Sequence, residues 1–203
     1  MSRRTRTLFD GDPVGDYRAW QVQPIGKRRA AEIVRERHYL HRRPPMSYAI
    51  AALAGQREAA IVTFGVPASR NVQRSVCPSN PDLVLELNRL WIDDDADTGA
   101  ASWFLSRALR QLPPLIIVSY ADTAYGHRGV VYHAANFHFA GMTDADRKTP
   151  RLDYIASGGR HSREASRSGA IRTERRSPKA RFWVTTGGPL ERRRLRKLVA
   201  WDG

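Results

Sequence analysis

Residues 83–122 read LVLELNRLWIDDDADTGAASWFLSRALRQLPPLIIVSYAD, and the class of fold follows from this segment. Its two ends, 83–92 and 115–122, are apolar runs rich in Leu, Ile and Val, which predict two buried strands. Between them, apolar residues recur at the spacing of one helix face, at Ala101, Phe104, Leu105, Ala108, Leu109 and Leu112. Asp97 or Thr98 is the predicted N-cap of this helix. A helix between two strands predicts an α/β domain.

The segments before residue 83 add a helix and a hairpin. The spacing of apolar residues over 27–39 predicts a short amphipathic helix, which Pro44 and Pro45 stop soon afterwards. The β-rich runs 47–53 and 59–66 predict an antiparallel hairpin. The segment from there to about residue 82 is rich in Pro, Ser and Asn, which predicts a loop.

The segments after residue 122 complete the domain and then become basic. A helix is predicted over 126–137 and a short strand over 137–142. Composition then shifts to Arg, Ser, Gly and Thr over 144–180, which predicts a solvated or partly ordered arm. A returning strand at 181–186 and a terminal helix from 190 follow. The whole pattern predicts a mixed sheet flanked by helices, with a basic C-terminal extension.

These patterns predict four parts along the chain. They are a basic N-terminal arm at 1–22, a catalytic domain at 23–143, a basic arm at 144–180, and a closing strand with a basic terminal helix at 181–203. The start, MSRRTRTLFDGD, has no apolar stretch after it, so neither a signal peptide nor a transmembrane helix is expected. We therefore expect a cytoplasmic protein.

Charge indicates the class of partner. The chain has 34 Lys and Arg against 20 Asp and Glu, a formal charge of +14, which attracts polyanions, nucleic acid first among them. The arginines lie among Ser, Gly and Thr and not opposite an apolar helix face, which disfavours membrane binding. Aromatic residues are not interleaved with them, which favours contact with duplex phosphates over single-strand stacking. With Cys77 alone, a disulfide or a Cys-based zinc cluster within one chain is excluded.

Polar residues at element ends are the candidates for chemistry. His38 and Tyr39 stand where the first helix gives way to a Pro-rich loop, a place that suits a cleft; capping by His38 and packing by Tyr39 is the structural alternative. Arg89 lies in an apolar strand, so it either pairs with a carboxylate such as Glu86 or faces an anion. Strand alternation places residues three apart on opposite faces, which weakens the pairing with Glu86.

The segment after the strand at 115–122 holds the most informative group. Asp122 ends that strand, Gly126 and Gly129 allow close backbone approach, and Tyr132 and His133 follow on the next helix. A carboxylate at the end of a strand beside a glycine-bearing loop is a common place for catalysis. The structural alternative is an Asp N-cap with Tyr and His on a packed helix face.

Four blocks in this order carry a family resemblance. His38-Tyr39, Arg89 within LNRLWI, YAD ending in Asp122, and GHRGVVY ending in Tyr132 resemble the Mom family of phage DNA-modification proteins, over about residues 25 to 142. KARFWV from Lys179 resembles the closing strand of such domains. The resemblance implies a GNAT-like fold and conversion of adenine in DNA to an N6-carbamoylmethyl derivative, which protects phage DNA from restriction in the infected host cell.

The resemblance implies that His38, Tyr39, Arg89, Asp122 and Tyr132 form the active site. Physical reasoning adds roles. Asp122 or His38 would accept a proton from the weakly nucleophilic adenine amine, Tyr39 or Tyr132 would stack on a flipped base, and Arg89 would hold a phosphate or developing negative charge. The residues expected to contact double-stranded DNA are Arg42, Arg43, Arg160, Arg163, Arg175, Arg176, Lys179, Arg192, Arg193 and Arg194.

The sequence leaves the cofactor open. GNAT-type enzymes cradle the coenzyme A pyrophosphate on a Gly-rich turn at a helix N-terminus, but here that place reads DDDADTGAAS, whose carboxylates disfavour an acetyl-CoA-like donor. An iron-type metal is the other possibility, because imidazole, carboxylate and phenol groups suit such an ion. Its candidate ligands are His38, Asp122, Tyr132 and His133.

Three other functions compete with adenine modification. A GNAT-type N-acyltransferase acting on a small amine or a protein is disfavoured by the acidic turn at 93–97. A classical N6-adenine methyltransferase is disfavoured because YADTAY lacks the Pro-Pro core of that catalytic tetrad and no Gly-rich cofactor turn is visible. A non-enzymatic basic DNA-binding protein would explain the charge. It would leave the polar residues at the strand ends unexplained.

Overall fold

The computed structural model describes residues 14–123, 126, 128–145, 147–149, 151–156, 160–161 and 172–201. Contacts divide the chain into two compact units. The first comprises residues up to Ile117 together with Thr185–Ala200, and the second comprises Val118–Val184 with the residues from Trp201. The elements are β1 (Gln21–Pro24), α1 (Lys27–Arg37), β2 (Tyr48–Ala54), β3 (Arg57–Gly65), α2 (Arg70–Val76), β4 (Val84–Ile92), α3 (Ala100–Leu109), β5 (Ile116–Asp122), α4 (Val130–Ala134), β6 (His138–Met142), β7 (Leu152–Ala156), β8 (Arg160–His161), β9 (Arg172–Arg175), β10 (Lys179–Thr185) and α5 (Pro189–Arg196).

Two sheets organise these elements. The large sheet has seven strands in the order β1-β2-β3-β4-β5-β10-β6, and the small sheet has the order β8-β7-β9. The unit boundary passes through β5 and β10 themselves. The predicted α/β class, with a mixed sheet flanked by helices, is confirmed.

In the first unit, β1 to β4 form an antiparallel meander. The predicted hairpin is confirmed, with Tyr48 opposite Phe64 and Ala54 opposite Arg57 across β2 and β3. Helix α1 packs on these strands and ends at Arg37, two residues before the predicted end. Its apolar face carries Ala30, Ile33 and Val34, which join Ala49 and Ile61 in one buried cluster. Removal of this apolar surface from water holds the helix on the sheet.

Helix α3 begins later than predicted. Its N-cap is Gly99, in the left-handed region at φ 101°, and not Asp97 or Thr98. The predicted apolar face is otherwise confirmed, because Phe104, Leu105, Ala108 and Leu109 are buried. The residues just before the helix form a turn, in which the Ala100 N–H donates to the Asp97 carbonyl at 3.1 Å.

The segment predicted as a loop contains helix α2. The Ser69 hydroxyl accepts a hydrogen bond from the Asn71 N–H at 3.3 Å, which caps the helix start. Gln73 and Val76 are buried on its inner face, and the Gln73 side chain donates to the Val84 carbonyl at 3.0 Å. A helix of seven residues is too short to show a clear apolar periodicity, and the Pro and Ser residues around it predict a loop instead.

In the second unit, helix α4 is shorter than the predicted 126–137. It begins after Gly129, at φ 72°, and ends before Asn136, which also has a positive φ of 62°. The predicted strand at 137–142 is confirmed as β6, which pairs antiparallel with β10. The left-handed residues at both ends limit α4 to five residues.

Three short strands lie within the segment predicted as a basic arm. β7 pairs antiparallel with β8 and β9, and Asp153 of β7 lies opposite Glu174 of β9. The Arg176 guanidinium donates to Asp153, from Nε at 2.8 Å. Backbone pairing and ion pairs, such as Arg176–Asp153 and Arg172–Glu174, therefore order residues whose composition predicts no core. The four-part division of the chain stays a prediction.

The predicted C-terminal strand and helix are both confirmed, but the helix is shorter than predicted. The returning strand is β10, and the terminal helix is α5, which begins at Pro189 and buries Leu195. Leu198 and Val199, predicted inward on the same helix, lie just beyond its end and are half-buried. In the described part of the chain, no helix has the length and apolarity needed to cross a membrane.

Candidate active site

In the first unit, the predicted pair His38 and Tyr39 lies directly after α1. The His38 N–H donates to the Val34 carbonyl at 3.2 Å and ends the helix. The imidazole is only 5% exposed, whereas the Tyr39 ring stacked on it, with centroids 4.4 Å apart, is 52% exposed. The Leu40 N–H donates to His38 Nδ1 at 3.1 Å, so the neutral imidazole carries its proton on Nε2. One ring is therefore buried and oriented, and the other is presented outward.

The loop after this pair is tied to the sheet by a side chain that the sequence analysis missed. Asn88 of β4 donates from Nδ2 to the Pro45 carbonyl at 2.7 Å and accepts from the Thr63 hydroxyl at 2.6 Å. The Ser47 N–H donates to the Phe64 carbonyl at 2.7 Å. An Asn inside an apolar strand was the available signal, because an amide that is even partly removed from water needs hydrogen-bond partners.

A β-bulge at Asn88 determines where Arg89 points. Thr63 pairs with Arg89 and Phe64 pairs with Leu87, so Asn88 is an extra residue in β4. Bulges interrupt the strict alternation of side chains and are frequent beside active sites. The expectation that Glu86 and Arg89 face opposite sides is therefore wrong, and Glu86 interacts electrostatically with Arg89.

The Arg89 guanidinium is largely removed from water. Burial lowers its pKa, while the nearby Tyr39 and Glu86 raise it and Arg42 lowers it. Nη1 donates to the Asn88 carbonyl at 2.5 Å. Nε is buried, and no residue in the described part of the chain accepts a hydrogen bond from it. A buried N–H without an acceptor costs folding free energy and is rare in folded proteins.

In the second unit, Asp122 ends β5 as predicted. Two residues hold its carboxylate: Ser177, just before β10, and Lys179, the first residue of β10. Its Oδ1 accepts from the Ser177 hydroxyl at 2.6 Å, and its Oδ2 lies 3.0 Å from Lys179 Nζ. The carboxylate is mostly buried. An ionised carboxylate has no proton to donate, so both oxygens act as acceptors. Ser177 was not predicted, since it is 55 residues away in sequence.

Tyr132 of α4, also in the second unit, belongs to an aromatic cluster. Its ring centroid lies 5.3 Å from that of Phe137 and 5.1 Å from that of Phe182. The imidazole of His133 meets the same Phe182 ring edge-on at 5.1 Å. Packing of this kind fixes the position of the Tyr132 ring. Within the described residues, no three or more His, Cys, Asp or Glu side chains come together in a way that could hold a metal ion.

The predicted DNA-contacting residues differ in their surroundings. Arg42, Arg43, Arg175 and the three α5 residues Arg192, Arg193 and Arg194 are exposed. Arg176 is engaged by Asp153 and Lys179 by Asp122, so these two cations are already partly neutralised. The side chain of Arg160, and the whole of Arg163, lie outside the described residues.

The acidic turn before α3 is only partly neutralised. Asp93 is buried, with its Oδ2 2.6 Å from Arg57 Nη2, and its Oδ1 accepts from the Asp95 N–H at 3.1 Å. Asp94, Asp95 and Asp97 are exposed. The start of α3 therefore presents carboxylates, and its residues do not fit the pyrophosphate of an acetyl-CoA-like donor.

Comparison with known proteins identifies the family. The family model described as the Mom protein family matches residues 19–196. Methylcarbamoylase mom of Escherichia phage Mu is 31% identical over 145 residues, which are 68% of this chain and 60% of the phage protein. The chain thus spans less than two thirds of that relative's length. All five predicted active-site residues lie inside the range that the family model matches.

Two solved structures with which the chain shares similarity are acetyl-CoA complexes. One is yncA of Salmonella typhimurium, at 10% identity and a TM-score of 0.49, covering 82% of this chain and 94% of the other. The other is the phosphinothricin acetyltransferase of Sinorhizobium meliloti, at 12% identity and a TM-score of 0.47, covering 83% and 89%. Identities this low carry no information about substrate. The family model, which extends over most of the 203 residues, is sufficient to establish that the chain belongs to the Mom protein family.

Proposed function

We propose that this chain transfers a carbamoylmethyl group to N6 of adenine in double-stranded DNA and so protects phage DNA from restriction inside the infected host cell. Membership of the Mom family and the 31% identity to methylcarbamoylase mom support the proposal. The structural observation that carries it is the buried Arg89 Nε, a donor that has no acceptor in the described part of the chain. Among the described residues, Arg181 Nε and Trp183 Nε1 of β10 are also buried without a partner, but Arg89 alone of the three is one of the predicted active-site residues.

The first-unit residues suit the binding of an unpaired base. The adenine amine lies inside the duplex, so an enzyme that modifies it must flip the base out. The Tyr39 ring, half exposed and supported from behind by His38, offers a flat surface on which a flipped base stacks. Arg89, which interacts electrostatically with Tyr39, would hold a phosphate or the negative charge that develops during transfer.

Asp122 is the better candidate for the proton acceptor. When N6 bonds to the carbamoylmethyl carbon, the bond from that carbon to the leaving group of the donor breaks, and the leaving group departs with the electron pair. The amine loses one proton, which a positioned base takes up. His38 already uses Nδ1 to accept the Leu40 N–H and has a proton on Nε2, so it is a donor in this geometry. Asp122 is a mostly buried carboxylate oriented by Ser177 and Lys179, and an ionised carboxylate acts only as an acceptor. We assign proton acceptance to Asp122 and support of Tyr39 to His38.

Protection from restriction tests the proposal. Plasmid from cells that express the wild-type chain should resist a restriction enzyme whose site contains adenine. The Asp122→Asn variant keeps an acceptor for Ser177 but loses the charge, and its protection should fall roughly 100-fold or more. Asp82→Ala, at an exposed carboxylate in the other unit, is the matched control and should protect fully. Equal cleavage of wild-type and Asp122→Asn plasmids would refute the assignment.

The terminal helix α5 is proposed to contact DNA phosphates. Its exposed residues Arg192, Arg193 and Arg194 would each neutralise up to one phosphate and release a counterion. Replacing all three by Gln should reduce the slope of log affinity against log salt by up to about 2.7. The control replaces Arg18, Arg74 and Arg110 by Gln, with the same change in net charge. If both triple variants change the slope equally, α5 is not a specific phosphate contact.

A further inference from the structure

A basic cleft opens in the first unit beside α1, and none of the residues assigned to catalysis lines it. Its volume is about 520 Å³, and it is lined by Arg28, Ala31, Glu32, Arg35 and Arg43. Arg28, Glu32 and Arg35 lie on one face of α1, since residues separated by four and seven positions share a helix face. Ala31 leaves room between them. Three guanidinium groups thus surround a space open to solvent.

The loop after α1 is held so that Arg43 faces this helix. His41 has a positive φ of 46°, and its N–H donates to the His38 carbonyl at 2.8 Å. The His41 ring contacts the Arg35 carbonyl from Nδ1 at 2.8 Å. Two hydrogen bonds therefore maintain an unusual backbone conformation that returns the chain towards the end of α1. Arg43 lines the cleft because of this turn.

The charges in the cleft do not cancel. Glu32 is its one carboxylate, and it is shared between Arg28, at 3.5 Å, and Arg29 outside the cleft, at 3.4 Å. Neither Arg35 nor Arg43 forms a salt bridge with a carboxylate of the described residues. Three cations against one anion leave a net positive field, which an anion from outside would neutralise.

We propose that this cleft binds consecutive phosphates of one DNA strand, an inference that rests on the proposed function. Arg28 and Arg35 are seven residues apart on α1, which is roughly 10 Å, the rise of about three phosphates along a strand. The Arg28 side chain is 95% exposed, as suits an extended polyanion more than an enclosed small molecule. The loop that carries Arg43 also carries His38 and Tyr39, so a DNA strand bound in the cleft would lie next to the proposed base-stacking ring of Tyr39.

The test is the salt dependence of binding to duplex DNA. The double variant Arg35→Gln/Arg43→Gln should reduce the slope of log affinity against log salt by about 1.8, and Arg35→Lys/Arg43→Lys should keep most of it. Arg74→Gln/Arg110→Gln, at exposed positions outside the cleft, removes the same charge and should change the slope much less. Glu32→Gln should act in the opposite direction and raise the affinity, because it removes the carboxylate from the cleft.

Two outcomes would overturn the inference. One is a slope that is unchanged in Arg35→Gln/Arg43→Gln, or one that falls equally in the Arg74/Arg110 control. The other is that the cleft binds small phosphates and not DNA. In that case inorganic tripolyphosphate would bind the wild type but not Arg35→Gln/Arg43→Gln, and the two proteins would bind DNA equally. Thermal unfolding of each variant verifies that it is folded. Because DNA binding is measured without modification, failure of the cleft is distinguishable from failure of the proposed reaction, which would appear as wild-type DNA that stays unmodified.

Discussion

Replacing Gly129 by Ala should destabilise the protein by about 2–5 kcal/mol, the largest effect on stability that we expect from a single methyl group. Gly129 has φ 72°, which disfavours any residue with a Cβ. An ideal Cβ there would also overlap the buried Phe182 ring, at 2.6 Å from Cε2 and closer still to Cζ. Phe182 is packed against Tyr132, so the ring is not free to move aside.

Gly126 provides the matched control for this substitution. It has the same φ of 72°, but a Cβ there would meet no atom of the described structure within 4 Å. Gly126→Ala therefore has the conformational cost alone, about 1 kcal/mol. Urea unfolding of both variants measures the difference. Equal loss of stability in the two would mean that Phe182 does not restrict Gly129, and the account of the Tyr132 environment would be wrong.

Arg89→Gln should lower the rate of DNA modification roughly 100-fold or more without lowering the free energy of unfolding. The reason is that the half-buried Arg89 side chain has a buried Nε without an acceptor among the described residues, so its removal relieves a cost of folding. A residue retained for structure would behave in the opposite way. Stability from denaturant unfolding and modification per folded molecule, measured on the same sample, separate the two roles.

Arg57 is the comparison for Arg89, because it is an arginine whose role is to stabilise the fold. Its Nη2 lies 2.6 Å from the buried Asp93 carboxylate, and Arg57→Gln leaves that charge without its ion pair. We expect this variant to lose about 1–3 kcal/mol of stability while its folded fraction still modifies DNA. If Arg89→Gln instead resembles Arg57→Gln, with activity falling only as the protein unfolds, Arg89 is not part of the reaction.

Much of the fold follows from the spacing of apolar residues. The strands β4 and β5 and the inner face of α3 were predictable because apolar runs and helical periodicity extend over seven or more residues there. The limits of α4 were not, since they depend on left-handed residues such as Asn136, which a periodic pattern does not reveal. The small sheet β8-β7-β9 was also not predictable, because its strands are short and its composition indicates no core.

For the site, the residue types were predictable, but their surroundings were not. The order of His38, Arg89 and Asp122 along the chain carried the family resemblance, and the family is confirmed. The bulge at Asn88 reverses the facing expected for Arg89 and Glu86, and only strand pairing shows it. Likewise, Ser177 donates to Asp122 although the two residues are far apart in sequence, and a single sequence gives no signal for such a contact.

Mass analysis of nucleosides from plasmid DNA tests the proposed reaction most directly. DNA from cells that express the wild-type chain should contain deoxyadenosine heavier by one carbamoylmethyl substituent, with fragmentation that places the added mass on the base. DNA from cells with the Asp122→Asn variant should contain little or none. Unmodified adenine in both samples, with the wild-type chain folded and expressed, would contradict adenine modification by this protein.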